Sequence, residues 1–327
     1  MMAIANLSDV SQRLSFYAPE ESTLLALKGE DHVRFLHNQT TNNLNSLKVG
    51  YHCLTVFVNS TGRTLDLVTA YKQEDSLFIH ASNQRRQFLL NWMDRYIFPM
   101  DQVSLEDLST KYTIFQLYGT AVANYLQNCG LTLPEANQQL TVSWLNTSII
   151  LAAGNALDLP GFTLIVPTEA RSLLQQQFLQ DNFAAIAPAT WEKLRIMQGV
   201  PVPDHELTED YNPLEAGLWR AISFDKGCYI GQETIARLNT YQGVKQRLWG
   251  LALDRAVAPN TPITLAGEKI GLLTSVTQAE KPRGLGYIRT KAGGENLTVQ
   301  VGEATGQVIA VPFLRHEYYQ PKSANPV

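Results

Sequence analysis

The hydrophobic pattern of this chain changes character at Tyr241-Gln242-Gly243 and does not change back. Beyond that point only short β-type runs occur, at residues 247–253, 261–265, 270–276, 284–288, 297–301 and 307–311. Turns at Gly267, Gly293-Gly294 and Gly302 separate them, a spacing that predicts a small β-barrel. Before it, apolar residues recur at helical and strand periods in turn, without a regular βαβ alternation. That argues for α+β layers rather than a doubly wound sheet. A chain of 327 residues exceeds one ordinary core, so the reading divides it into residues 1–242 and a barrel domain, 243–327.

Within the mixed region, Leu24-Leu25-Ala26-Leu27 reads as a strand ended by Gly29, and Asp31 as the cap of a helix carrying Val33, Phe35 and Leu36. Residues 51–59 and 64–71 flank the turn Ser60-Thr61-Gly62-Arg63, which predicts a hairpin followed by a strand at 76–81. Residues 83–97 place Phe88, Leu89, Trp92 and Tyr96 at helical spacing, an aromatic stripe expected in the core, with Pro99 as the stop. Further strands are expected at 103–105, 111–118, 142–144, 148–152 and 162–166. Helices are expected at 120–129, at 171–179, and at 191–197 behind a Thr190 cap. Cys53 in its strand and Cys129 at its helix end read as small buried hydrophobes. No internal repeat or low-complexity tract is visible.

Composition removes several function classes. With 45% hydrophobic and 17% charged residues and a net charge of −4, the chain has no global basic field to recruit nucleic acid by counterion release. The local basic groups, Arg85-Arg86 and Lys226, Arg237, Lys245, Arg247, read as solvated helix faces and strand ends. Cys53, Cys129 and Cys228 form no CxxC pair, and the six histidines show no paired-ligand spacing, so no metal site and no disulfide framework is expected. Neither GxGxxG, GxxxxGK[ST] nor GxSxG occurs where it would carry chemistry, which sets aside dinucleotide, P-loop and α/β-hydrolase readings. No run is long enough to span a bilayer, and the start, Met1 to Asp9, lacks a basic segment followed by an apolar one. A reducing, cytoplasmic setting without stable membrane association is the expectation.

Three stretches hold polar chemistry. Lys226-Gly227-Cys228-Tyr229-Ile230-Gly231-Gln232-Glu233 puts a cysteine between two glycines ahead of a helix read over 232–238. Peptide dipoles at the helix start, with Lys226 and Arg237 near, favour a thiolate; a buried structural cysteine in a tight turn fits the same spacing. Residues 199–211, rich in proline and acidic side chains, form a long irregular segment of the kind that carries function or stays disordered. Asn38-Gln39-Thr40-Thr41-Asn42-Asn43 reads either as a helix-ending loop with local caps or as one polar wall of a ligand site. Together with Asn59, Asp66, Arg195 and Glu215 it makes a set better suited to a ligand cavity than to a metal. In such a cavity Asp66 would hold a heterocyclic amine, and Arg195 a carboxylate or a ring.

The eight-residue stretch around Cys228 resembles the signature of the YgfZ family, folate-binding proteins that assist iron-sulfur enzymes and, in bacteria, tRNA modification. That family in turn resembles the glycine-cleavage T-protein, a tetrahydrofolate-dependent aminomethyltransferase. Phe35-Leu36-His37-Asn38-Gln39-Thr40-Thr41-Asn42 is similar to the family's early FLxxQxTxD run. Gly199-Val200-Pro201, His205-Glu206-Leu207 and Pro213-Leu214-Glu215-Ala216-Gly217-Leu218 follow the T-protein patterns GLP, HEL and PxEAGL. The resemblance implies two α+β subdomains around a central folate channel, followed by the barrel. It implies tetrahydrofolate or a derivative as cofactor, and folate and iron-sulfur client enzymes as partners. Cys228 and Lys226 would carry the chemistry, and Gln39, Thr40, Asn59, Asp66, Arg195, Glu215 and Tyr229 would bind the cofactor. A T-protein-like aminomethyltransferase or demethylase is the alternative. Against it, Leu65-Asp66 stands where T-proteins carry two aspartates, Met197 replaces the glutamate that fixes the pterin, and Pro203 replaces a tyrosine.

Overall fold

Both faces of the strand Thr23–Lys28 are buried, and this organises the first two-thirds of the molecule. Strand side chains alternate, so Leu25 and Leu27 point one way and Leu24 and Ala26 the other. The first pair joins a core closed by the helices His32–Gln39 and Arg86–Tyr96, through Phe35, Leu36, Leu89 and Met93. The second pair meets Ile114, Ile150, Ala152 and Ile165 of another sheet. The computed structural model, which describes residues 7–320, is therefore layered as helices, sheet, sheet, helices in this region. The part of the expectation for the chain start that rests on residues 1–6 lies outside the described residues.

The first sheet has five strands in the order His52–Val58, Thr64–Lys72, Ser76–Ala81, Thr23–Lys28, Ser104–Asp107, all antiparallel. Its leading pair is the expected hairpin, with a register shift at Phe57/Val58. The second sheet has six strands in the order Ala184–Ala185, Ser15–Tyr17, Tyr112–Tyr118, Gly161–Pro167, Thr147–Ala153, Gln139–Trp144. Its outer face packs Phe115, Leu117 and Leu164 under the helices Val122–Asn128 and Arg171–Gln180. The six-stranded closed barrel follows from Gln246–Leu253 to Ala304–Ile309, filled by Leu251, Ile263, Leu273, Ile288, Val301 and Val308. After the barrel the chain returns: Val311, Phe313 and Leu314 join a central cluster with Leu194, Ile196, Leu218 and Tyr287.

Several local expectations need correction. Asp31 makes no capping bond; its Oδ2 accepts from the Gln102 backbone N–H at 3.0 Å, tying the helix to the strand beyond it. The helix expected to start behind Thr190 runs Pro188–Gln198, with the proline at its first position, where a missing N–H costs nothing. The aromatic stripe is core except at Phe88: Leu89 is buried and Trp92 and Tyr96 pack against the same core, while Phe88 is 39% exposed and stacks on Trp92 at 5.9 Å. Cys129 is exposed, because its helix ends at Asn128 on the surface. The strands Ser15–Tyr17 and Ala184–Ala185, which pair in parallel, are too short to leave a sequence period. Among the described residues no helix is long and apolar enough to cross a membrane.

Candidate functional site

The two sheets do not touch along their whole length. Toward one end their facing surfaces separate around a cavity of about 870 Å³. Alternation along Thr64–Lys72 sends Leu67, Thr69 and Tyr71 to this cavity, while Val68 and Ala70 go to the helix-covered core. The facing strand Tyr112–Tyr118 contributes Ile114 and Gln116, and His52, Cys53 and Leu54 enter from the hairpin's first strand. Tyr17 and Trp191 stack at 5.2 Å along one side, with the indole N–H of Trp191 donating to the Tyr118 hydroxyl at 3.0 Å. Val200, Pro201, Val202 and His205, from the irregular segment, wall another side. That segment is held from beneath by Glu206, fully buried, which accepts from Arg195, Val202 N, Thr274 and Ser275. One of the segment's own acidic residues is thus its anchor.

The walls hold few ionised groups. Burial pushes the His80 imidazole down to about 4, leaving it neutral at physiological pH. His52 is lowered by the same cause, partly opposed by its bond to the Ala153 carbonyl. Burial raises the Tyr71 phenol to about 12 and the Cys53 thiol to about 12, so both stay protonated. Arg220 lies over the Phe313 ring at 4.0 Å and donates to Asp158 at 2.7 Å at the edge of the cavity. Glu192, also on the wall, holds Arg195 through two short bonds. The site can enclose a largely uncharged planar ligand and place a few hydrogen-bonding groups against it.

None of the nine residues singled out from sequence lies on this wall. Lys226 is buried, with its ammonium donating to the carbonyls of His37, Thr40 and Asn42 at 2.5, 2.6 and 2.8 Å, and sits 4.6 Å from the Tyr229 ring centre. Burial lowers its pKa to about 7, while three carbonyl partners favour the charged form. Asn42, in the same cluster, reaches the cavity. Thr40 back-bonds to Leu36, and Gln39 lines a separate pocket of about 180 Å³ beside Phe98 and Asp101. Asn59 organises the hairpin turn and donates to Glu209 at 2.7 Å. Glu215 accepts from the Asn212 N–H and lies 3.5 Å from Arg63.

Asp66 faces away from the cavity, where its carboxylate accepts from Ser82 N and Oγ at 3.0 and 2.7 Å. Desolvation raises it to about 6 despite those bonds. Ser82 is itself on the wall, so Asp66 positions the segment rather than meeting a ligand. Arg195 is fully buried between Glu192, Glu206 and Ser275, and Met197 is off the cavity as well. Cys228 is exposed, four residues before the helix Gln232–Thr240, and outside the cavity. Gly231 fixes its loop: at φ +77° its Cα approaches so closely that a Cβ would stand 2.5 Å from the Asn59 carbonyl.

The sequence reading missed His52, His80, Gln116 and Thr163. A polar residue inside a strongly apolar strand was the available signal, since a glutamine amid Tyr112–Tyr118 must find partners once buried.

With this geometry in view, comparison with known proteins is informative. Residues 10–226 match the GCVT N-terminal domain. A chloroplastic protein of Arabidopsis thaliana named as a transferase is 38% identical over 309 residues, covering 92% of this chain and 71% of that protein. An aminomethyltransferase of Listeria monocytogenes is 25% identical over 310 residues, covering 89% of this chain and 84% of that enzyme. The fold matches the crystal structure of glycine cleavage system aminomethyltransferase T from Bartonella henselae with a TM-score of 0.81, over 95% of this chain and 89% of that one, at 18% identity. The chain belongs to the GCVT N-terminal domain family.

Proposed function

We propose that this protein binds tetrahydrofolate or a derivative in the cavity between its two sheets and acts in tetrahydrofolate-dependent one-carbon transfer of the aminomethyltransferase type. The observation that carries the reading is the cavity itself: about 870 Å³, walled by Tyr17, Trp191, Leu54 and Leu67, with neutral polar groups at Gln116 and His80. Its volume and its largely apolar walls suit a pterin-sized ring with an extended tail. Similarity to an aminomethyltransferase over 89% of the chain supports the same class. Bound tetrahydrofolate would supply the nitrogen that accepts the one-carbon unit. The protein's part is to exclude water with the aromatic and aliphatic walls and to hold the ring. An amine substrate is cationic and needs a carboxylate; with Asp66 turned away, Glu21, Asp158 and Glu192 are the acidic groups on the wall, and Asp158 and Glu192 already pair with Arg220 and Arg195. Direct titration with tetrahydrofolate is the first test, and absence of binding overturns the proposal. Assay of methylene transfer from aminomethyl donors is the second, and turnover lost in a folded Glu21→Gln variant identifies the anchor.

A second reading, a folate-binding accessory protein of YgfZ type serving iron-sulfur client enzymes and tRNA modification, is favoured by one specific feature. Cys228 sits exposed outside the cavity in a loop locked by Gly231, and Leu67 rather than a carboxylate faces the cavity. Here the thiol would work at a protein surface and not on the folate, with buried Lys226 tying its loop to the carbonyls of His37, Thr40 and Asn42. Complementation of a YgfZ-deficient bacterium with wild type and Cys228→Ala decides it: equal rescue of iron-sulfur enzyme activity removes any role for the thiol.

A further inference from the structure

Gln116 stands in the middle of Tyr112–Tyr118, a central strand of the second sheet, and is 4% exposed. Buried amides normally spend both ends on protein partners. This one spends only its oxygen: Oε1 accepts from the Ala156 backbone N–H at 2.9 Å and from the Thr163 hydroxyl at 3.2 Å. A backbone N–H can only donate, so the oxygen's position is not interchangeable with the nitrogen's. The amide nitrogen, carrying two N–H groups, donates to nothing among the described residues, and Gln116 lines the cavity. Across from it, on the first sheet, His80 also lines the cavity, and its ring bonds to no group among the described residues. Thr69, paired in register with His80, adds a hydroxyl on the same wall.

We propose that Gln116 and His80 form the polar recognition edge of the cavity, Gln116 donating from its amide to a ring carbonyl of a planar lactam-bearing heterocycle and His80 bonding its neighbouring ring edge. The proposal rests on the folate reading above and adds to it the group that reads the pterin. Met197 is off the wall. The Ala156 bond holds the Gln116 amide in place without any ligand, so little ordering is needed on binding. A ligand lacking an acceptor there leaves two N–H groups unpaired in a desolvated site, which is how polar groups discriminate between rings of similar shape.

The test uses equilibrium binding of three ligands to the full chain under reducing conditions: tetrahydrofolate, 6-methyltetrahydropterin, which keeps only the ring, and p-aminobenzoyl-glutamate, which keeps only the tail. Gln116→Glu keeps an oxygen for the Ala156 N–H and replaces the donors with an acceptor. It is expected to weaken tetrahydrofolate and the pterin about tenfold or more and to leave p-aminobenzoyl-glutamate unchanged. His80→Leu, which does not disturb the Gln116 network, is expected to weaken the same two ligands several-fold. Unchanged pterin affinity in either folded variant, judged by wild-type tail binding, overturns the inference while leaving the folate reading intact. A wild-type protein that binds neither tetrahydrofolate nor the pterin overturns both.

Discussion

Replacing Glu206 separates two ways in which a buried charge supports this fold. Glu206 is fully out of solvent and its side chain accepts four hydrogen bonds. Oε1 takes the hydroxyls of Thr274 and Ser275 at 2.7 and 2.6 Å; Oε2 takes Arg195 Nη1 and the Val202 N–H at 3.1 and 3.2 Å. These partners come from the helix Pro188–Gln198, the irregular segment and the barrel, so one carboxylate joins three parts of the chain. In Glu206→Gln one oxygen still faces Arg195 and Val202. The new N–H₂ meets hydroxyls that turn to accept it, since Thr274 can then donate to the Leu285 carbonyl at 3.0 Å. The loss is then mainly of charge assistance, about 1–3 kcal/mol. Glu206→Ala removes all four bonds and leaves Arg195, fully buried, to Glu192 alone among carboxylates. Breaking one side of a buried pair costs about 3–5 kcal/mol. Urea unfolding followed by tryptophan fluorescence, with the slope checked for constancy, measures both. A Glu206→Ala protein within about 1 kcal/mol of wild type, or a Gln variant as damaged as the Ala variant, refutes the argument.

Three further outcomes are expected. Asp66 is raised from 3.8 to about 6 by desolvation, so the folded state holds its proton more tightly than the unfolded chain; the resulting stability is full below about pH 4 and is lost as pH rises through about 6. Relative to Asp66→Asn, wild type should lose about 3 kcal/mol between those limits, and parallel pH profiles of the two proteins would contradict the assignment. Gly231→Ala meets the Asn59 carbonyl and the Gly62 backbone at φ +77°, and should lose about 2–4 kcal/mol in thermal or urea unfolding; a neutral substitution would show that the Cys228 loop is not wedged there. In thiol titration of the native protein, Cys129 and Cys228 should react fast and Cys53, pushed up to about 12 by burial, slowly. Saturating tetrahydrofolate should slow Cys53 further and leave Cys228 untouched, and protection of Cys228 would place that thiol at the ligand.

The elements were largely legible because their signals are local. The hairpin around Ser60-Thr61-Gly62-Arg63, the strand at 76–81 and the all-β run after Gly243 each announce themselves through side-chain period and turn residues. The exposure of Phe88 on Arg86–Tyr96 was not legible, since it looks like a core residue until a neighbour is found missing. The candidate site was legible in outline only. Asn42, Arg195 and Asp66 belong to the cavity's surroundings, and the segment 199–211 does wall it, but the residues that meet its interior were passed over as strand filling.

What the sequence alone determined is the order of elements, the α+β-then-barrel division of pattern and the motifs that mark the family, all carried by neighbours along the chain. Only the tertiary structure decided which face of each strand looks into the cavity. Alternation requires Asp66 and Leu67 to point opposite ways, and both faces of their sheet are buried, one under helices and one under a second sheet. Hydrophobicity is the same on either side, so no local pattern distinguishes the helix side from the cavity side. The packing of the two sheets does, and it turns Leu67 inward and Asp66 away.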